Sequence, residues 1–386
     1  MEGVVALKNI NQKLKIAMIG HKRIPSREGG VEIVVEELSK RMANDGHNVC
    51  VYNRRGHHVS GKEYEMIDVK LKEYEGINIM QVPTIEVKGF AALSSSFFAT
   101  IKALFGKYDV IHFHAEGPCA MLWIPKLFGI RTVATIHGLD WQRAKWGKFA
   151  TTYLKFGEKI AAKYADEVIV LSKNVQKYFL EVHNRETKFI PNGIQKPTII
   201  EPEIIKQKWN INKNEYILFL GRIVPEKGLE YLVNAFKNVN TTKKIVIAGG
   251  ASDTNEFMNY IKEKAKDDDR FIFTGFVQGK VLEELYSNAY IYVLPSDLEG
   301  MPISLLEAMS YGNCCVVSDI AECTEVVEDK AIVFRKSDVD DLREKLQLLC
   351  SDFDQVKKYK KKATEFICKK YNWNNVVEET VNLYKL

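Results

Sequence analysis

The feature that most constrains the fold is an alternation, run twice along the chain, of short apolar runs with longer stretches of helical periodicity. Residues 14–20, 47–52, 109–113, 132–136, 167–171 and 188–190 read as strands, separated by helical stretches such as 31–43, 95–105 and 148–164. A second series follows, with strands at 216–222, 244–248, 270–274, 290–294, 314–318 and 331–334. Alternation of this kind requires a parallel sheet covered on both faces, because each crossover lays a helix against it. At 386 residues the chain exceeds what one core sustains. The expected architecture is therefore α/β: two doubly wound, Rossmann-like domains, each binding at the carboxyl edge of its strands and facing the other across a cleft. The first domain is placed at 1–196 and the second at 197–370. A terminal helix at 371–386 is expected to cross back over the first domain, and Lys196, Pro197 and Pro202 mark the linker.

Composition sets the class. The apolar and charged fractions, 46% and 27%, are those of a globular protein. No run approaches the length of a membrane-spanning helix, and residues 1–15 lack the apolar stretch of a signal peptide, so a cytoplasmic location is expected. The seven cysteines are odd in number and without paired CxxC spacing, which reads as reduced core thiols. Nothing in a net charge of +5 calls for nucleic acid.

Chemistry concentrates at Glu299-Gly300-Met301-Pro302-Ile303-Ser304-Leu305-Leu306-Glu307, which follows a buried strand and a turn. Pro302 suits the first helical position, so Glu299 falls on the loop and Glu307 in the second helical turn. One carboxylate then points towards something held over a helix N-terminus, and the other lies beside it. Free amides at that end favour anions or electron-rich hydroxyls. The plainer reading is a solvated turn residue and an exposed helix glutamate. Against it, Glu307 sits among leucines, alanine and methionine, and a part-buried carboxylate needs donors such as ribose or sugar hydroxyls.

Arg222-Ile223-Val224-Pro225-Glu226-Lys227-Gly228 lies past a strand end and opens a helix. A guanidinium fork and an ammonium beside a helix N-terminus suit a nucleotide diphosphate; the alternative is a surface turn with solvated cations. Gly29-Gly30, just before the first helix, permits close approach of a ligand to the backbone, or is simply a flexible loop. His137, with Gly138 beside it, stands at a strand terminus on the facing edge. His112 and His114 are read as pointing to opposite sides of their strand, which with no third ligand nearby argues against a metal. Between 141 and 164, Arg143, Lys145, Lys148, Lys155, Lys159 and Lys163 interleave with Trp146, Phe149, Tyr153 and Phe156 against one acid, Glu158. That mixture fits an anionic membrane surface, or an ordinary helix with aromatics inward and lysines outward.

Taken together, Gly29-Gly30, His137-Gly138, Arg222…Lys227-Gly228 and Glu299…Glu307 resemble the retaining GT-B glycosyltransferases of family 4, or group 1, over nearly the whole chain. Residues 24–32 and 137–143 make it most similar to bacterial enzymes of surface-polysaccharide assembly, including rhamnosyltransferase-like members. The resemblance implies transfer of a sugar, with retention, from a nucleotide-diphosphate sugar to a saccharide or polyprenyl-diphosphate-linked saccharide, in capsule, exopolysaccharide or O-antigen assembly. Arg222 and Lys227 would neutralise the diphosphate without a metal or other cofactor. Glu307 would accept from the ribose hydroxyls and Glu299 from the transferred sugar. The amides of Gly30, Gly300, Met301, Pro302's neighbour Ile303 and the Gly29 turn would complete the donor cradle, with Phe276 and Val277 near the base. His137 would meet the sugar at its 6-position, and Arg27, His114, Glu116, Asp140, Trp141 and Arg143 would serve the acceptor. Many members carry a small residue where this chain has Pro302, which leaves the donor sugar open. Other readings are a nucleotide-sugar epimerase or a phosphorylase on the same scaffold, or a non-catalytic sugar-nucleotide binder. An NAD oxidoreductase is disfavoured, since neither first strand is followed by GxGxxG.

Overall fold

The computed structural model describes residues 12–56, 71–85, 87, 90–143, 146–251 and 255–385. The chain divides into two compact units, residues 1–191 with 373–386, and residues 192–372. The changeovers fall at 191/192 and 372/373, a few residues from the expected 196/197 and 370/371.

Unit 1 is built on eight strands: β1 (Lys15–Ile19), β2 (Asn48–Arg54), β3 (Glu73–Tyr74), β4 (Ile77–Val82), β5 (Val110–His114), β6 (Arg131–Ile136), β7 (Glu167–Val170) and β8 (Lys188–Phe189). Their order is β3-β4-β2-β1-β5-β6-β7-β8, all parallel except the β3–β4 hairpin. That hairpin was not anticipated. It turns at Glu75 and Gly76, both at positive φ, and β4 buries Ile77, Ile79 and Val82 while Asn78 and Met80 face outward, so it lacks the unbroken apolar run of the central strands. By contrast β1 is apolar throughout its centre and β5 is buried along its whole length, with His112 and His114 between its apolar residues, and Ile16, Met18, Ile111 and Phe113 are inaccessible to solvent. The helix Trp373–Lys385 belongs to this unit and packs on the helix Gly30–Asn44. Three contacts tie it down. The Arg41 guanidinium lies over the Trp373 ring at 5.2 Å, Arg131 donates twice to the Leu383 carbonyl at 2.9 and 2.7 Å, and Tyr384 reaches His112 at 2.6 Å.

Unit 2 carries six parallel strands: β9 (Tyr216–Leu220), β10 (Lys244–Ala248), β11 (Phe271–Gly275), β12 (Ile291–Leu294), β13 (Cys314–Ser318) and β14 (Ile332–Phe334), ordered β11-β10-β9-β12-β13-β14. Phe219, Leu232, Phe236, Ile247, Val293, Val316 and Leu346 close one core around it.

Each sheet reverses its strand order once, and a reversal leaves a crevice at the carboxyl ends of the two strands that flank it. In unit 1 the reversal lies between β1 and β5, and in unit 2 between β9 and β12. The loops at 20–29 and 115–116, and those at 221–228 and 295–302, are therefore the ones positioned to bind. All seven cysteines are free, five of them buried.

Candidate active site

In unit 2 the loops after β9 and β12 are clamped together. Gly228 has φ +67°, and a Cβ there would stand 1.9 Å from the Pro295 carbonyl oxygen, so only glycine allows this approach. The clamp brings Lys227 beside Glu299. Their side chains are 13% and 8% exposed and pair at 2.5 Å, while the Ser296 hydroxyl donates to the same carboxylate oxygen at 2.6 Å. The Asp297 amide donates to the Glu226 carbonyl at 2.9 Å, and the Tyr231 hydroxyl to the Asp297 carboxylate at 2.9 Å, adding two further ties between the loops.

The turn that follows differs from expectation at Pro302, which caps the helix Ile303–Ser310 rather than starting it. Its φ of −75° suits either place, but its ψ of 102° is extended, and its carbonyl accepts from the Leu305 and Leu306 amides. Gly300, Met301 and Ile303 thus supply the amides ahead of the first intrahelical bond. Asn192 braces this turn from the linker, with its backbone amide 3.0 Å from the Met301 sulfur. Glu307 sits in the second turn, 9% exposed, and accepts from the Tyr286 hydroxyl at 3.0 Å. Arg222 is half-buried past the end of β9, and Phe276 and Val277 are half-buried past the end of β11.

In unit 1, Gly29 is the extended N-cap of the helix Gly30–Asn44, and Glu32 in the first turn accepts from the Lys22 amide at 2.8 Å. The acid end of that helix is therefore partly answered from within. Arg27 lies on the same loop. Opposite, β5 ends in a kink: Ala115 has φ +73°, a conformation that side chains rarely take, and it turns the chain into Glu116. Glu116 is wholly buried and neither carboxyl oxygen meets a hydrogen-bond partner among the described residues. Burial and the neighbouring Asp140 and Glu158 push its pKa well above the usual carboxylate range, which keeps it a neutral acid. Glu158, itself 2% exposed, collects Trp141 Nε1 at 2.9 Å, the Tyr178 hydroxyl at 2.9 Å and His183 Nε2 at 2.6 Å. Arg143 pairs with Asp140 at 2.8 Å.

His112 and His114 do not face opposite ways. Residues two apart on a strand share a face, and their rings lie against each other at a tilt of 32° with centroids 4.1 Å apart. His114 Nδ1 lies 3.1 Å from His137 Nε2. Burial lowers the pKa of His137 to about 4 and of His112 to about 3, and puts His114 well below 6.5, so all three rings are neutral near pH 7. Among the described residues no three His, Cys, Asp or Glu side chains converge as a metal would require.

The geometry thus gathers Lys227, Glu299 and Glu307 at one sheet edge and His114, Glu116, His137, Asp140, Trp141 and Arg143 at the other. Sequence profiles match the stretches that carry both. That of "Glycosyl transferases group 1" matches residues 201–366, and that of "Glycosyltransferase Family 4" matches residues 28–196. The chain belongs to the group 1, family 4 glycosyltransferases. An uncharacterised glycosyltransferase of Methanocaldococcus jannaschii is 26% identical, over 97% of this chain and 98% of its own. The UDP-Gal:alpha-D-GlcNAc-diphosphoundecaprenol alpha-1,3-galactosyltransferase of Escherichia coli is 25% identical over 81% of each chain. Among solved structures, sucrose-phosphate synthase from Thermosynechococcus elongatus superposes with a TM-score of 0.81 at 21% identity, covering 97% of this chain and 98% of its own. The fold of this glycosyltransferase is accordingly GT-B.

Several groups in this glycosyltransferase's site were not picked out from sequence. Tyr286 and Ser296 each bond a candidate residue, and Thr135 and Tyr384 bond His112 behind the site, from distant or unremarkable positions. Only Ser296, three residues before Glu299, lay close enough to be noticed. The 141–164 segment resolves both ways. Tyr153 turns inward, whereas Phe149 and Phe156 are 71% and 49% exposed. Lys155 lies 4.1 Å over the Trp141 ring, and Lys145 falls outside the described residues.

Proposed function

We propose that this glycosyltransferase moves a sugar from a nucleotide-diphosphate sugar to a lipid-linked saccharide with retention of configuration and without a metal. The observation that carries the donor half is the Lys227–Glu299 pair at the strand-order reversal of unit 2, with Glu307 in the second turn of the helix that follows. An ammonium already held by a carboxylate is kept in place before any ligand arrives. A diphosphate then takes up the Lys227 charge alongside the Arg222 guanidinium, and Glu299 is released to the hydroxyls of the transferred sugar. Glu307 receives the ribose hydroxyls, Phe276 and Val277 flank the base, and the amides of Gly300, Met301 and Ile303 meet the phosphate oxygens. In unit 1, Gly29 and Gly30 are assigned to the donor, His137 to the sugar in transit, and Arg27, Asp140, Trp141 and Arg143 to the acceptor saccharide, while His114 and Glu116 are too deeply buried to meet either.

The reaction breaks the bond from the anomeric carbon to the phosphate oxygen and forms one to the acceptor oxygen. Charge builds on the departing diphosphate, so cations fixed there lower the barrier. Burial pushes the Glu116 pKa well above the carboxylate range, and the Asp140 carboxylate is held by Arg143, which disfavours either as the nucleophile of a covalent glycosyl intermediate. Attack then comes on the face the diphosphate leaves, and a phosphate oxygen takes the acceptor's proton.

A lipid-linked acceptor, as in the name of the E. coli relative, places the enzyme at a bilayer in capsule, exopolysaccharide or O-antigen assembly. The helix Trp123–Leu127 packs on both Ala91–Leu104 and Lys148–Tyr164. Phe105, Leu127, Phe128 and Phe149 are 82, 74, 68 and 71% exposed, and Phe90 stacks on Phe149 at 6.4 Å. The first two helices contain no acid, and the one glutamate of the third, Glu158, is buried. An exposed apolar face studded with lysines, on helices that expose no acid of their own, suits the headgroups of anionic lipid. No helix among the described residues is long and apolar enough to cross a membrane.

The test of the donor assignment is calorimetric titration with UDP and GDP. Lys227→Ala and Arg222→Ala should each weaken the nucleotide that binds by roughly tenfold or more, as loss of a charge-assisted hydrogen bond implies. Unchanged affinity in the folded variants would remove the phosphate assignment.

A further inference from the structure

The histidine group of unit 1 carries more than one catalytic candidate. His137 is half-buried at the end of β6, and its Nε2 is taken up by His114 Nδ1 at 3.1 Å. Whichever ring holds the shared proton, Nδ1 is the one nitrogen of His137 left to face a ligand, and it has no hydrogen-bond partner among the described residues. His114 is inaccessible to solvent, and its Nε2 has no partner among the described residues. Its ring is therefore held from one edge by His137 and from one face by His112, 4.1 Å away.

His112 is fixed at both nitrogens. Its Nδ1 lies 2.6 Å from the Tyr384 hydroxyl and its Nε2 2.7 Å from Thr135 Oγ1. Tyr384 comes from the terminal helix Trp373–Lys385, and its ring also meets His112 edge-on at 5.6 Å. The main chain of His114 is fixed as well: a Cβ on Gly20, at φ +122°, would lie 2.1 Å from the His114 carbonyl oxygen, so the chain after β1 is pressed against the backbone of β5 where His114 sits. A buried, neutral imidazole has few ways to satisfy its ring, and a chain of rings in contact has one arrangement rather than many. Rotation of His114 would break its bond to His137 and leave a second nitrogen bare, which buried polar groups rarely do.

From this geometry we infer that His114 is a positioning residue that aims His137 Nδ1 at the sugar in transit, and that His112 and Tyr384 of the terminal helix hold His114 in that pose. The inference rests on the reading of His137 as the residue that meets the sugar. It assigns the terminal helix a part in the site: its last turn sets the orientation of a ring that another ring orients in turn.

The geometry names a discriminating pair of substitutions. The side-chain amide of asparagine reaches the place of a histidine Nδ1, whereas that of glutamine reaches the place of Nε2. His114→Asn keeps a partner for His137, while His114→Gln and His114→Leu do not. The experiment has two readouts on folded protein. The first is the histidine side-chain 15N spectrum without ligand, with His137 identified by its disappearance in His137→Gln. The His137 resonances should shift in His114→Leu and His114→Gln and return towards wild type in His114→Asn. The second is steady-state kinetics with the donor that binds. The kcat should fall by tenfold or more in His114→Leu and His114→Gln with donor KM changed less than threefold, and His114→Asn should recover most of it. Tyr384→Phe should produce a smaller shift of the same His137 resonances. If His137 is unmoved in His114→Leu, the positioning role is overturned. If its resonances move as expected while kcat does not, the positioning holds and the assignment of His137 to the sugar is the part overturned.

Discussion

At the residue scale, the pairings of the site set what each side chain is free to do. Glu307 accepts from the Tyr286 hydroxyl, which holds its carboxylate in one orientation before any ligand arrives. Glu307→Gln keeps the shape but loses the charge. It should weaken the bound nucleoside diphosphate by roughly tenfold, about 1.4 kcal/mol, and the loss should vanish for the 2′,3′-dideoxy nucleotide, which has no ribose hydroxyls to donate. Equal losses for both nucleotides in calorimetry would place Glu307 elsewhere. Legibility in sequence divides along the same line. Glu299, Glu307, Lys227 and His137 could be read because they stand beside strand ends and helix starts, where local rules apply. Tyr286 and Tyr384 could not, because a tyrosine on an amphipathic helix looks like core until the fold shows what its hydroxyl meets. His112 and His114 were misread through the strand period itself, which puts residues two apart on one face.

At the element scale, most strands were readable because buried parallel strands are continuous apolar runs. The β3–β4 hairpin escaped because its alternation is short and its turn, at Glu75-Gly76, lacks the usual Asn-Gly signature. Gly228 shows how much one loop position can hold. Gly228→Ala puts a Cβ into the Pro295 carbonyl at an unfavourable φ, and should cost unit 2 roughly 2–4 kcal/mol in urea unfolding, with Lys227 displaced from Glu299. A variant of wild-type stability would mean that the two loops separate freely. The aromatic and basic face of unit 1 makes its own prediction. The double variant Lys148→Glu, Lys155→Glu should lose sedimentation with vesicles of anionic phospholipid while binding nucleotide as before, and the wild-type interaction should weaken with added salt. Equal partitioning of variant and wild type would leave that face without a lipid partner.

For the whole molecule, buried titratable groups give stability a definite shape with pH. His21 and His137 are lowered to about 4 and His112 to about 3, in each case chiefly by burial. Below pH 6.5 the unfolded chain binds protons that these folded rings refuse, so stability falls as pH drops from 6.5 towards 4. Glu116 acts in the opposite sense. Its folded pKa lies above the ordinary 4.5, so above that pH the unfolded chain ionises while the folded carboxyl does not, and stability declines as pH rises. Lys360, lowered to about 8 by burial, adds stability with rising pH between 8 and 10.5 and belongs to unit 2. Comparing Glu116→Gln with wild type cancels the lysine and the histidines. The variant should gain on wild type steadily from pH 5.5 to pH 9 in urea unfolding, by at most about 1.4 kcal/mol per pH unit. A difference that stays flat with pH would show Glu116 to be ionised in the folded protein.

The return of the chain to its first unit also bears on the order in which the protein can be born. Unit 2 is one continuous stretch, 192–372, whereas unit 1 needs 373–385 to cover the helix Gly30–Asn44 and to satisfy Arg131 and His112. On a ribosome working from the amino terminus, the half synthesised first is thus the last to be finished. It must wait for its last helix until the whole of the second half has been made.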